Sequence, residues 1–229
     1  MEETRKAVPV CIPLLGWACG CTRRGSSHAA TGRPCQDAYA IWTSSFLGEP
    51  LLAVAVADGH GGERHDLSHR GAALAVQAAV GEVVASLPLA GEKGAWRPVP
   101  AAGETGFQDR VNARWKEYVM ADAAQRLGGS PEEGNGQEIL TRYGTTLLLA
   151  LMDGSDCWVG QVGDGDILLV RSDGVVERPL PRDETLLGTV THSLSPRDSS
   201  ALWRTARFPT RGGGLLLMAT DGLSDSFES

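Results

Sequence analysis

The sequence predicts an α+β protein in which antiparallel sheets are covered by helices, and three observations carry that prediction. Apolar runs of strand length, each closed by a Gly-rich or Asp-Gly turn, occur before residue 62 and again from Thr145 onward. Between them lie two stretches whose apolar residues recur at helical spacing. The order of strands, then two helices, then a meander of strands does not alternate as a doubly wound parallel sheet would.

A chain of 229 residues with 42% hydrophobic content suits one large domain or two small ones and is enough for a sizeable core. The excess of 28 acids over 21 bases, with no basic cluster, argues against nucleic acid as a partner. No apolar run reaches the ~18 residues of a membrane span. The start, Met1-Glu2-Glu3-Thr4-Arg5-Lys6 followed by Pro9 and Pro13, is a poor secretory signal, so a cytoplasmic protein is expected. Five cysteines are an odd number, which speaks against a complete disulfide framework. Cys11, Cys19, Cys21 and Cys35 crowd one segment but lack the paired Cys-x-x-Cys knuckles of structural zinc, so small buried residues are the better reading.

In chain order, residues 1–15 read as a loose lead-in, and residues 16–229 as a single domain. A first strand is expected at 16–22 and a loop rich in small residues at 23–34. A second strand over 38–43 carries Tyr39, Ile41 and Thr43 on one face, and a turn at 47–50 leads antiparallel into a central strand over 51–57. That run has the length and branched content of a strand buried on both faces. Val76, Val80, Val83, Val84 and Leu87 then mark one helix, and Val111, Trp115, Val119, Ala123 and Leu127 a second, with a loop over 89–106 between them. The stretch 128–137 reads as loop. Strands follow at 145–152, 157–162, 166–171, 175–178, 202–208 and 215–219, with a polar irregular span over 179–199.

Three acids repeat one design. Asp58, Asp164 and Asp221 each come directly after an apolar strand, and each is followed by glycine. A hairpin turn accounts for any one of them, Asp164 in particular. Together with Asp37 at the start of its strand, they can instead converge at one end of a sandwich. Four acids so gathered repel one another unless divalent cations sit between them, and oxygen-only ligands favour Mg²⁺ or Mn²⁺ over zinc. Two such ions can activate water toward a phosphoester. His60, two residues after Asp58, is a candidate proton donor, and Gly59, Gly61 and Gly62 let the backbone approach a ligand closely.

Asp58-Gly59-His60-Gly61-Gly62, Gly144-Thr145-Thr146, Val162-Gly163-Asp164 and Asp221-Gly222-Leu223-Ser224-Asp225 occur in that order. This set resembles the metal-dependent type-2C protein serine/threonine phosphatases, and Cys35-Gln36-Asp37 most resembles a bacterial branch of that family. The resemblance implies a β-sandwich flanked by helices, in α-β-β-α layers, with two metal ions at one end and a weaker third. Asp58 would bridge both metals, the Gly59 carbonyl would bind one, and Asp37 and Asp221 would complete the ligands. Asp164 and Asp225 would hold the further ion. His60 would protonate the leaving alcohol, metal-activated water would be the nucleophile, and the substrate would be phosphoserine or phosphothreonine in a protein. A monomer is expected for a full-length member.

Three departures from the family pattern stand out. Gln36 replaces a glutamate, so it would reach a metal only through water and weaken the second ion. The arginine that many members use to hold phosphate falls at Gly32, leaving Arg33 as the candidate, with Arg23 and Arg24 as outside ones. The family pattern also runs on through a helix and a final strand bearing another ligand, so the sequence reads as lacking both. Two other functions are therefore carried: a catalytically weak or inactive regulatory binding module on the same fold, and a phosphatase of small phosphate esters.

Overall fold

The structure is a computed structural model that describes residues 9–13, 15–46, 49–87, 106–127, 135–183, 191–210 and 212–224. Almost all of the loop expected over 89–106, residues 47 and 48 of the expected turn, residues 128–134 and Asp225 lie outside the described residues.

The chain opens with a small hairpin, β1 (Val10–Ile12) against β2 (Gly16–Ala18), where a loose lead-in and one longer strand were expected. The segment expected as loop at 23–34 contains a short helix, α1 (Ser26–Thr31), which Gly32 closes in the left-handed region at φ 73°. Next come the antiparallel pair β3 (Asp37–Phe46) and β4 (Glu49–Asp58) and the helices α2 (Ser68–Ala85) and α3 (Gly106–Leu127). A seven-residue helix that sequence reading did not assign, α4 (Gly136–Arg142), precedes the remaining strands. These are β5 (Leu147–Asp153), β6 (Asp156–Val162), β7 (Asp166–Arg171), β8 (Val176–Glu177), β9 (Arg204–Pro209) and β10 (Gly214–Ala219), and a final turn, α5 (Asp221–Ser224), follows.

Two sheets result. A five-stranded antiparallel sheet has the order β3-β4-β5-β6-β9, and a three-stranded one has the order β10-β7-β8. Strand alternation divides the core between them. Leu147, Leu149 and Leu151 of β5, with Leu51, Ala53, Ala55 and Ala57 of β4, face α2 and α3 and meet Val76, Val83, Val111, Trp115 and Val119. Leu148 and Ala150 point the other way, where Cys157, Val159 and Ile167 complete a second cluster with Leu216 and Met218 packed against it. Residues on both faces of β5 are fully buried because it lies under helices on one side and a sheet on the other. On the outer face of the small sheet, by contrast, Leu215 and Leu217 remain 48% and 38% exposed. No helix among the described residues is long and apolar enough to cross a membrane.

The helices are set on the sheet by tight contacts. The Trp115 indole N–H donates to the Gly71 carbonyl at 3.0 Å. Asp122 accepts from the Tyr143 hydroxyl at 2.8 Å and pairs with Arg70 and Arg126, joining α2, α3 and the end of α4. A side chain at Gly71 would collide with the Tyr143 carbonyl, whereas one at Gly81 would meet only the flexible ends of Arg114 and Tyr118. Gly71→Ala should therefore destabilise the fold by about 3 kcal/mol through forced helix displacement. Gly81→Ala should leave stability unchanged or raise it by up to about 1 kcal/mol, through helix propensity. Urea unfolding midpoints of the two variants check this contrast, and equal effects would mean that α2 is not seated on the Tyr143 peptide.

Candidate active site

Strand register gathers the acids. β3 and β4 pair so that Asp37 lies directly opposite Asp58. β7 and β10 pair so that Asp166 lies opposite Ala219; Asp164 and Asp221 lie just beyond that end of the pair, and both bear on the Asp58 carboxyl. The two pairs meet because Gly163 packs its backbone on the Thr146 side chain, where a β-carbon would come within 2.5 Å of the Thr146 methyl. Gly163 takes a φ of 103°, a conformation that favours glycine. Asp164 does not sit in a hairpin: β6 and β7 belong to different sheets, so the Gly163-Asp164-Gly165 turn is the crossover between them. The structure thus brings Asp37, Asp58, Asp164 and Asp221 to one end of the two sheets.

The backbone of Asp58 is held from both sides by the Gly144-Thr145-Thr146 segment. Its carbonyl accepts from the Thr145 hydroxyl at 2.8 Å and the Thr146 N–H at 2.9 Å, and its own N–H donates to the Thr146 hydroxyl at 3.0 Å. Gly59 donates to the Gln36 carbonyl at 3.0 Å, and a β-carbon there would strike the Ser68 carbonyl. His60 donates its backbone N–H to the Gly144 carbonyl at 3.0 Å. Gly144 has to be glycine, since a β-carbon would come within 2.8 Å of the His60 ring and 2.9 Å of the His65 ring. On the far turn, the buried Gln161 carboxamide donates to the carbonyls of Gly163 and Gly165 at 3.0 and 2.5 Å, fixing the loop that carries Asp164.

Electrostatics follow from this crowding. Burial, then the Asp37 charge, then a hydrogen bond to Asp221 push the Asp58 carboxyl up to about 8, and Asp164 adds to the shift. Asp37 is also raised, chiefly by burial, although a hydrogen bond from Thr220 pulls it down. The Cys35 thiol sits 3.9 Å from a carboxylate oxygen of Asp37 and is raised by its own burial. His60 is lowered to about 4 by burial and by the neighbouring His65, against a smaller upward pull from Asp221. At pH 7 the His60 imidazole is therefore neutral.

Sequence reading missed His65, Ser68 and Gln161, and it named Gln36, Arg33 and Arg24 without their partners. His65 meets the His60 ring edge-on at 5.2 Å between centroids, and its Nδ1 lies 2.6 Å from the Thr141 carbonyl. Its spacing of five from His60 was the available signal. Gln36 uses its side-chain nitrogen on the His60 carbonyl and the Ser68 hydroxyl. Arg33 is exposed beyond α1, with its N–H on the His28 carbonyl at 2.9 Å. Arg24 instead lines a cavity of about 800 Å³ that also reaches Cys35, Asp37, Tyr39 and His69, and Arg33 is not part of that wall.

Among the described residues no group of three or more His, Cys, Asp or Glu side chains is drawn together tightly enough to hold an ion. The chemistry of the donors nonetheless fits a hard divalent cation. Asp37 and Asp58 at strand ends and Asp164 and Asp221 at turns share one end of the sheets, and burial and the neighbouring acids push Asp58 up to about 8.

Of the shifted groups at this site, Asp58 and His60 move furthest and bear on the pH dependence of stability with opposite signs. Asp58 binds its proton below about pH 8 when folded but only below 3.8 when unfolded, so the folded state holds an extra proton in between and stability falls as pH rises. His60 acts with the opposite sign between about 4 and 6.5, where only the unfolded imidazole is protonated. The two offset below 6.5, leaving a net decline from pH 6.5 to 8 of at most about 1.4 kcal/mol per pH unit. Urea unfolding in chelator should show this decline, and Asp58→Asn should remove it. Wild-type stability that is flat or rises across that window would show that Asp58 ionises normally.

The profile of the protein phosphatase 2C family matches residues 24–229. Among solved structures, the serine/threonine phosphatase Stp1 from Staphylococcus aureus aligns with a TM-score of 0.55 and 14% identity, over 98% of this chain and 78% of that one. A bacterial serine phosphatase aligns with a TM-score of 0.52 and 14% identity, over 98% and 80%. The catalytic domain of the serine threonine protein phosphatase PstP, crystallised with two manganese ions, has 23% identity over 82% and 79% at a TM-score of 0.48. No curated protein matches the chain. The profile match, over a chain whose paired strands gather four aspartates at one end of two antiparallel sheets, places this protein in the protein phosphatase 2C family.

Proposed function

We propose that this protein hydrolyses phosphoserine or phosphothreonine in proteins with the help of Mg²⁺ or Mn²⁺. The observation that carries the reading is the convergence of Asp37, Asp58, Asp164 and Asp221, with Asp58 held up to about 8 by burial and by the other acids. Asp58, Asp37, Asp221 and the Gly59 carbonyl would hold the ions, two by the family resemblance, and Asp164 would serve a weaker third. Asp225 belongs to the same proposal from its place in the Asp221–Asp225 motif. When bound, the ions would supply positive charge to the phosphate and lower the pKa of a water molecule.

The chain's own residues supply the rest. Arg33 and Arg24 are the candidates to meet the phosphate; a cavity wall shared by Arg24 and Asp37 supports Arg24, and a planar guanidinium suits two phosphate oxygens. His60 is neutral before substrate arrives. A phosphate dianion beside it favours the imidazolium, so the proton donor for the leaving alcohol forms together with the complex. Thr145 and Thr146 hold the Asp58 backbone still through the reaction.

The test is turnover of a phosphoserine peptide and an aryl phosphate, with and without Mn²⁺ or Mg²⁺. Wild type should require the metal, and Asp58→Asn should lose at least about 100-fold on both substrates. Arg24→Ala should raise KM for the phosphopeptide by about tenfold, with Arg33→Ala having the smaller effect. Turnover without metal, or undiminished turnover in Asp58→Asn, would overturn the reading. Binding of the phosphopeptide without hydrolysis would instead make the protein a regulatory module, and hydrolysis confined to small esters would move its substrate class.

A further inference from the structure

Gln36 immediately precedes Asp37 and touches the His60 loop twice. Its main-chain carbonyl accepts from the Gly59 N–H at 3.0 Å, and its side-chain Nε2 lies 3.0 Å from the His60 carbonyl. The same nitrogen lies 2.5 Å from the hydroxyl of Ser68, a fully buried residue that opens α2. A carbonyl can only accept, so the His60 contact fixes which end of the carboxamide points there. Both N–H bonds of one nitrogen are then committed, one to the loop and one to the first turn of α2. The other side of the His60 peptide is held by Gly144, and its ring leans on His65.

We propose that Gln36 is a positioning residue for His60, and that an amide rather than a carboxylate is required at this place in the chain. The inference deepens the proposed function, and rests on it for the role given to His60. A carboxylate of the same shape has no proton to give either acceptor. It would face the His60 carbonyl with negative charge and release the peptide that carries the imidazole. The amide also strings three things on one side chain: the start of β3 beside Asp37, the loop after Asp58 and the N-terminus of α2. The alternative assignment, a residue that reaches a metal through water, makes the opposite demand, because there a carboxylate improves on an amide.

The experiment compares wild type with Gln36→Glu and Gln36→Met, which keep length but remove the donor with and without added charge. Turnover of a phosphoserine peptide, whose alkoxide needs a proton to leave, is set against an aryl phosphate, whose phenolate needs little. Both variants should lose about 100-fold in kcat on the peptide and less than about threefold on the aryl phosphate. Gln36→Met should keep the wild-type Mn²⁺ concentration for half-maximal rate. Equal losses on the two substrates, or a Gln36→Glu protein with undiminished peptide turnover and tighter Mn²⁺ binding, would overturn the inference. A readout free of turnover accompanies these: in the ¹⁵N-labelled wild type, the Gln36 side-chain amide protons should exchange with water at least about tenfold more slowly than those of an exposed glutamine such as Gln77. Unprotected protons would overturn the inference even if the enzyme is active. Protected protons in a protein that hydrolyses neither substrate would support the Gln36–His60 tie while the phosphatase reading falls.

Discussion

The pairing of Asp37 with Asp58 across two adjacent strands is the constraint to which the rest of the architecture answers. Two carboxyl groups at the buried end of a sheet cannot both shed their protons without a cation. A fold that keeps them there has to hold their backbones firmly enough to resist the repulsion. The Gly144–Thr146 segment does so for Asp58, with three hydrogen bonds to a single residue. Gly59 and Gly144 lack side chains because the passing strand, the α2 backbone and two imidazoles already fill those spaces.

Glutamine amides serve a matching purpose at the two turns. Gln36 gives both side-chain protons to the His60 loop and α2, and Gln161 gives both of its own to the carbonyls on either side of Asp164. In each case a neutral donor holds the peptide chain next to an acid without adding charge of its own. A lysine or arginine in either position would bind the same carbonyls but would also compete for the carboxylates.

Much of this was legible in the sequence, and the limits have physical causes. An apolar run closed by Asp-Gly is a strong local signal, so β4, β6, β7 and β10 were placed within a residue or two, and so was the register end at which their acids meet. The short helices were not. α1 has only six residues and buries none of them, and α4 offers only Ile139 and Leu140 to the core, too little for a period to show. A hairpin turn and a sheet-to-sheet crossover have the same local composition, so the sequence left both a hairpin and convergence open for Asp164. The partners of Gln36 are one residue 24 positions away and another 32 away, and no spacing rule links an amide to such acceptors. Arg24 lines one cavity with Asp37 while Arg33 does not, and α1, which separates the two arginines in the chain, was unread.

The two sheets contribute the acids in equal shares: Asp37 and Asp58 from the larger, Asp164 and Asp221 from the turns that border the smaller. The Gly163-Asp164-Gly165 crossover links the two sheets at this end, but a turn of glycines does not by itself fix the gap between these pairs. It is set by the thickness of the apolar layer between the sheets, built from Leu148, Ala150, Cys157, Val159, Ile167, Leu216 and Met218. That layer acts as a spacer whose gauge is side-chain volume. A methyl group added or removed there retunes the mouth of the site much as a shim changes the bite of a clamp.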